Sequence, residues 1–124
     1  LDPRLNSHEF NVPGEASKQS FAHAYDLVLD CDLKTMFSSI SSNFDEICFT
    51  QHQVVTFCRY RKDMMKQKGS ANFFIIKNQG SYFIVNIRIR SMRQLDATLY
   101  DIDYGFSWPG SKTRRLFCRG HQIK

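Results

Sequence analysis

Long apolar runs are missing from this 124-residue chain. No stretch approaches the roughly 18 consecutive apolar residues of a membrane-spanning helix, and no basic, apolar, small-residue leader opens it. The chain starts on Leu1 rather than Met, so a trimmed terminus is expected. Paired cysteines are also missing. Cys31, Cys48, Cys58 and Cys118 include no Cys-x-x-Cys, and His8, His23, His52 and His121 never pair at helical or zinc-finger spacing. Cys48, His52 and Cys58 make one ligand-like trio, but a helix cap at Thr50 would keep the first two off a common face, so no metal is expected. Scattered thiols in a chain able to build its own core read as reduced, partly buried residues, which makes the cytoplasm the expected location. Neither a Gly-x-Ser-x-Gly elbow nor a Walker or Rossmann glycine set occurs, and no cysteine has a histidine placed by local structure to activate it. No cofactor is expected, and the six glycines read as turns and stops. Internal repeats and low-complexity tracts are lacking as well.

What the chain does have is apolar and aromatic content, 42% and 14%, with charged residues at 23%. A chain of this length and composition can bury a core and is not globally disordered. Its formal charge of +5 conceals an uneven layout. Residues 1–57 carry three basic groups (Arg4, Lys18, Lys34) against eight acidic ones, a net of −5, and the remainder carries fourteen against four, a net of +10. Such asymmetry points to a polyanion or a membrane surface as partner, or to two halves that pack together and neutralise one another.

Residues 1–16, with Pro3, Pro13 and Gly14, read as an irregular arm, and residues 17–124 as one domain. Ser17 opens a helix-like stretch in which Phe21, Ala24, Tyr25 and Val28 recur at three and four. Leu29, Leu33, Met36, Phe37 and Ile40 make a second stripe after a break at Asp30-Cys31-Asp32, with Asp30 or Asp32 as cap. Ser38 to Asn43 reads as a polar exit loop. Thr50 and Gln53 match a capping box ahead of Val54, Phe57, Cys58, Arg61, Met64 and Met65, and Gly69 supplies the stop. Beyond Gly69 the period becomes two. Residues 72–77 and 82–90 flank a hairpin turn at Asn78-Gln79-Gly80-Ser81, Leu95 to Tyr104 forms a third strand, Trp108 to Ser111 turns, and Thr113 to Cys118 makes a short fourth strand. Helices followed by strands predict an α+β fold, two or three N-terminal helices packed on a three- to four-stranded antiparallel sheet.

A turn at Gln79-Gly80 sets Ile76 opposite Phe83 and Phe74 opposite Val85, and pairing Arg90 with Asp96 extends the register to the third strand. One face then gathers Phe74, Ile76, Phe83, Val85, Ile87, Ile89, Ala97 and Leu99 for the helices. The other gathers Phe73, Ile75, Tyr82, Ile84, Tyr100, Ile102 and Tyr104 beside Arg88, Arg90, Asp96 and Thr98. That second face is too apolar for solvent. Either another part of the chain covers it or a partner does, and a homodimer through Phe73, Ile75, Ile84, Ile102 and Tyr104 is the expected cover. Tyr82 and Tyr100 as stacking platforms, with Arg59, Arg61, Arg88, Arg90, Arg114 and Arg115 as phosphate contacts, make a nucleic acid or other polyanion the expected ligand. No ribonucleoprotein-type motif accompanies them.

Asp30-x-Asp32 and Asp101-x-Asp103 supply the alternative, a metal-dependent phosphotransfer or nuclease-type enzyme using these Asp pairs. The first pair superficially resembles the opening motif of haloacid-dehalogenase-like phosphatases, but Thr35 falls three residues after the second Asp rather than two. The chain is also short for that fold. The expectation is therefore a small, non-enzymatic binding module, self-associating through its second sheet face and basic enough to hold an anionic partner.

Overall fold

A computed structural model describes residues 5–12, 20–27, 30–91, 94–108, 110 and 114–120, with the backbone alone for 5–12, 20 and 21. Pro3, Pro13, Gly14, Ser17, Val28, Leu29, Pro109, Ser111 and Thr113, which figured in the sequence reading, lie outside the described residues. The elements in chain order are strands β1 (Leu5–Val12), β2 (Ser20–Leu27) and β3 (Cys31–Asp32), then helices α1 (Leu33–Ser38) and α2 (Gln51–Tyr60), with 3-10 turns at Phe44–Glu46 and Lys62–Met64. Strands β4 (Ala71–Asn78), β5 (Ser81–Ser91), β6 (Gln94–Asp101), β7 (Ser107–Trp108) and β8 (Arg114–Gly120) follow.

The helix-first α+β architecture does not form. The described chain is mostly sheet, 49% strand against 24% helical. Residues 20–27, read as part of a helix, are strand β2, and the supposed arm contributes β1, which pairs with it from Leu5 opposite Leu27 to Val12 opposite Ser20. Ala22 and Ala24 explain the misreading. Alanine suits either period, and here both side chains are fully buried on one face of a strand. The decision lies in β8, which pairs with β2 antiparallel (Ala24 opposite Phe117) and with β4 parallel (Phe74 opposite Phe117). The last strand thus sits in the middle of a six-stranded mixed sheet of order β1-β2-β8-β4-β5-β6. Long-range pairing has overridden local periodicity.

Local signals were realised where local chemistry sufficed. The Thr50 side chain accepts from the Gln53 N–H while the Gln53 side chain accepts from the Thr50 N–H, both halves of the capping box. Asp32 caps α1 by accepting from the Thr35 N–H at 2.7 Å. Gln79 and Gly80 both adopt positive φ, 51° and 81°, the turn that joins twisted strands without splaying them. Ile76 lies opposite Phe83 and Phe74 opposite Val85 as the turn requires. The β5–β6 register is two residues away from expectation. Arg88, not Arg90, lies opposite Asp96, and the register slips by one residue only beyond Ile89, where Ser91 lies opposite Gln94. A shift of two preserves the faces, and Arg90 still reaches Asp96 as an ion pair. Helix α2 is shorter than its apolar stripe implied, ending at Tyr60 before the Lys62–Met64 turn.

Elements of the same chain pack on both sheet faces. On one, Phe57 of α2 meets Phe74 and Phe117 with ring centroids 5.2 and 4.8 Å apart, and Phe74 stacks on Phe117 at 4.7 Å. On the other, Leu33, Met36 and Phe37 of α1 and Trp108 of the β3–β7 ribbon pack over Phe73, Ile75, Ile84 and Leu116. The loop before β4 is tied down by Asn72, whose buried amide accepts from Lys66 N–H and donates to the carbonyls of Lys66, Ser70 and Ile87.

Candidate functional site

Helix α2 lies over β8 and β4, as its aromatic contacts show, and it is the only helix on that face among the described residues. Neighbouring strands are about 4.8 Å apart and a helix with side chains is about 10 Å wide. One helix therefore cannot cover β5 and β6 as well. What remains is a groove of about 670 Å3 between α2 and the outer two strands. Its floor is Phe83, Val85 and Ile87 of β5 with Leu95, Ala97 and Leu99 of β6. The register explains the assembly, since Val85 lies opposite Leu99 and Ile87 opposite Ala97, so their side chains share one face. Its wall is one edge of the helical stretch, where Gln51, Val55, Arg59 and Lys62 follow one another at helical spacing.

Apolar surface is exposed here to an unusual degree. Leu99 is 60% exposed and Val55 51%. Arg59 and Lys62 stand at the rim, and no carboxylate lines the groove among the described residues. Cys58, deeper in the wall, is no nucleophile. Burial pushes its thiol up to about 11 against the opposing charge of Lys62, so it stays protonated and behaves as an apolar lining group.

The expected site residues scatter. Phe73, Ile75 and Ile84 are 0% exposed, so the surface expected to meet a second copy is covered by α1 and the β3–β7 ribbon of the same chain. Ile102 is buried with them, and only Tyr104 of that set is exposed, its ring tilted against that of Tyr100 with centroids 5.0 Å apart. Tyr100 in turn packs edge-on against Trp108. Tyr82 donates its hydroxyl to Asp45 and lies edge-on to Phe44. That bond first, and the one from Lys77 second, hold the Asp45 carboxyl below its ordinary range.

Most of the expected phosphate contacts are engaged within the chain. Arg115 forks onto Asp26 at 2.6 and 3.1 Å and donates to the Met64 carbonyl. Arg88 donates to the Gly69 carbonyl at 2.7 Å, Arg61 pairs with Asp63, and Arg90 with Asp96. Arg114 lies over the Trp108 ring, its pKa lowered by burial and then by the charge of Arg88. Arg59 alone of the set belongs to the groove.

Each Asp of the two pairs is engaged within the chain. Asp32 caps α1, Asp30 accepts from the Gly110 N–H, Asp101 accepts from the Asp103 N–H, and Asp103 pairs with Lys34 at 3.0 Å. Among the described residues no three His, Cys, Asp or Glu side chains are grouped as metal ligands. The sheet does bring Cys118 opposite His23, an adjacency no local pattern announced. Cys118 is nonetheless buried, and burial holds its thiol well above the ordinary value.

Sequence reasoning missed Val55 and Leu95 and assigned Leu99 to the core. The missing signal was how much of the sheet a single ten-residue helix can cover. No helix among the described residues is long and apolar enough to cross a membrane. Comparison with protein-family models, curated proteins and solved structures finds no match for this chain.

Proposed function

We propose that the chain is a non-enzymatic binding module that seats an apolar partner carrying negative charge in the groove between α2 and β5–β6. The observation behind this reading is one feature, a wide apolar floor with Leu99 and Val55 exposed and Arg59 at its rim. Contiguous apolar surface of this kind marks interaction sites, and its size falls within the range of ligand clefts. Arg59 selects the sign of the partner. The anionic preference expected from the basic half is retained, but its seat moves from the tyrosine face to the groove. A nucleic acid and a second copy are the partners to be compared with it.

Titration with dodecanoate and dodecylammonium, read from the methyl resonances of Val55, Leu99 and Ile87, tests the reading. Dodecanoate is expected to shift these methyls and to bind about tenfold more tightly than the ammonium, a gap that narrows with salt. Leu99→Glu should abolish the shifts. Equal affinity for the two head groups, or shifts confined to Tyr82 and Tyr100, would sink it. Oligonucleotide binding at low salt that is insensitive to Leu99→Glu would favour the nucleic-acid reading, and a mass that rises with concentration would favour self-association.

A further inference from the structure

Building on that reading, we infer that the natural occupant of the groove is an amphipathic, acidic α-helix of another protein, laid on the β5–β6 floor beside α2 with a carboxylate against Arg59. The width of the gap supports this. Two strands beyond β4 span about 10 Å, the diameter of one helix with its side chains. A sheet face half-covered by one helix is completed by a second in the same layer. The length agrees as well. The floor runs from Leu95 to Leu99, and α2 flanks it over ten residues, or about 15 Å at 1.5 Å per residue. Three turns of a partner helix fit alongside, with apolar anchors at i, i+3, i+4 and i+7.

Charge decides between candidate helices. The flank that α2 offers carries Arg59, so an acidic flank opposite it is attracted and a basic one repelled. A second copy has no suitable helix to give among the described residues. Its α2 would bring Arg59 to face its equivalent, and its α1 is six residues long with Leu33, Met36 and Phe37 already buried. Strand addition at the open edge of β6 is geometrically available, because β6 ends the sheet. An added strand, however, lies about 4.8 Å farther from α2, leaves the floor uncovered and does not reach Arg59.

The test is an unbiased selection. A displayed library of peptides of about 16 residues, long enough for four helical turns, is selected on the folded protein and counter-selected on the Val55→Glu and Leu99→Glu variants. Both changes fall on exposed side chains, and circular dichroism checks that each variant keeps its fold. Recovered sequences are expected to show apolar residues at helical spacing with Asp or Glu flanking them. Synthetic copies should gain helicity on binding and lose at least tenfold in affinity against Arg59→Glu. Recovery of period-two sequences, of basic flanks, or of peptides that bind both variants unchanged overturns the inference. So does recovery of nothing while dodecanoate still shifts the groove methyls, an outcome that spares the binding reading itself. If dodecanoate also leaves those methyls unmoved, both fall.

Discussion

Asn72 shows how much a single buried amide can hold. Its side chain satisfies one backbone N–H and three carbonyls around the Lys66–Gly69 loop, and its own N–H donates to the side chain of Asn86. Asn72→Ala keeps the backbone N–H bond to Asn86 but removes the side-chain bonds, the buried one to the Ile87 carbonyl included, at about 1–3 kcal/mol of stability. Chemical denaturation should show that loss with an unchanged slope, and a loss below about 0.5 kcal/mol would mean that water replaces the amide. The cysteines make a second residue-scale prediction. Burial raises the thiols of Cys48, Cys58 and Cys118, but Cys48 is the most accessible and Cys58 reaches about 11. Iodoacetamide at pH 8 is expected to label Cys48 first in the native protein and to leave Cys58 and Cys118 unmodified. Mass spectrometry that finds Cys118 labelled early would contradict its burial. Asp45 makes a third. Because its folded value is lowered, whatever stability it lends is complete above the ordinary carboxylate range and is lost as pH falls through the lowered value. Lys77 and Tyr82 are raised chiefly by the same bonds to Asp45, and their contribution is lost only as pH rises through their raised values. Tyr82→Phe should return the Asp45 titration toward the ordinary range in carbonyl NMR, and no movement would exonerate the hydroxyl.

At the scale of elements, what could be read from the sequence was what neighbouring residues decide among themselves. The Thr50–Gln53 box, the Asp32 cap and the Gln79-Gly80 turn are contacts within four residues, so their patterns carry their outcomes. Thr50→Ala is expected to cost about 1 kcal/mol and to fray the first turn of α2, checked by amide exchange at Gln53 and Val54. Strand β2 illustrates the opposite case. Phe21, Ala24 and Tyr25 recur at helical spacing, yet Ala22 and Ala24 share one strand face, and the pairing with β1 and with the distant β8 is what selects the alternation. The groove was illegible for the same reason. Phe83, Val85, Ala97 and Leu99 were correctly placed on the face that meets α2, yet whether a helix reaches them depends on strand order. With β8 inserted between β2 and β4, α2 is drawn toward Phe117 and away from β6. No local window contains that fact.

For the molecule as a whole, the division into an acidic first half and a basic second half turns out to be partly an internal matter. Asp26 of the first half meets Arg115 and Lys66 of the second, and Asp45 meets Lys77. Of these, the Asp26–Arg115 pair is the most enclosed, with side chains 10% and 13% exposed, and it joins β2 to β8 across 89 positions of sequence. Arg115 also donates to the Met64 carbonyl, tying the segment after α2 to the sheet. An ion pair taken this far out of water gains less from attraction than its geometry suggests, because both charges have lost hydration. Removing one partner is a different matter, and the two removals are unequal, because Asp26 keeps Lys66 at 3.9 Å when Arg115 is lost, whereas Arg115 keeps the uncharged Met64 carbonyl when Asp26 is lost. Asp26→Ala is therefore expected to cost about 3–5 kcal/mol, and Arg115→Ala less. Replacing both partners at once with apolar side chains, Asp26→Leu together with Arg115→Met, should recover most of that loss, with the Met64 carbonyl and Lys66 turning to water. A double-mutant cycle by denaturation measures the coupling directly. If each single change costs under about 1 kcal/mol, the pair behaves as a surface bridge, and the joining of the two halves rests on strand pairing and apolar packing, that of Phe57 with Phe74 and Phe117 included.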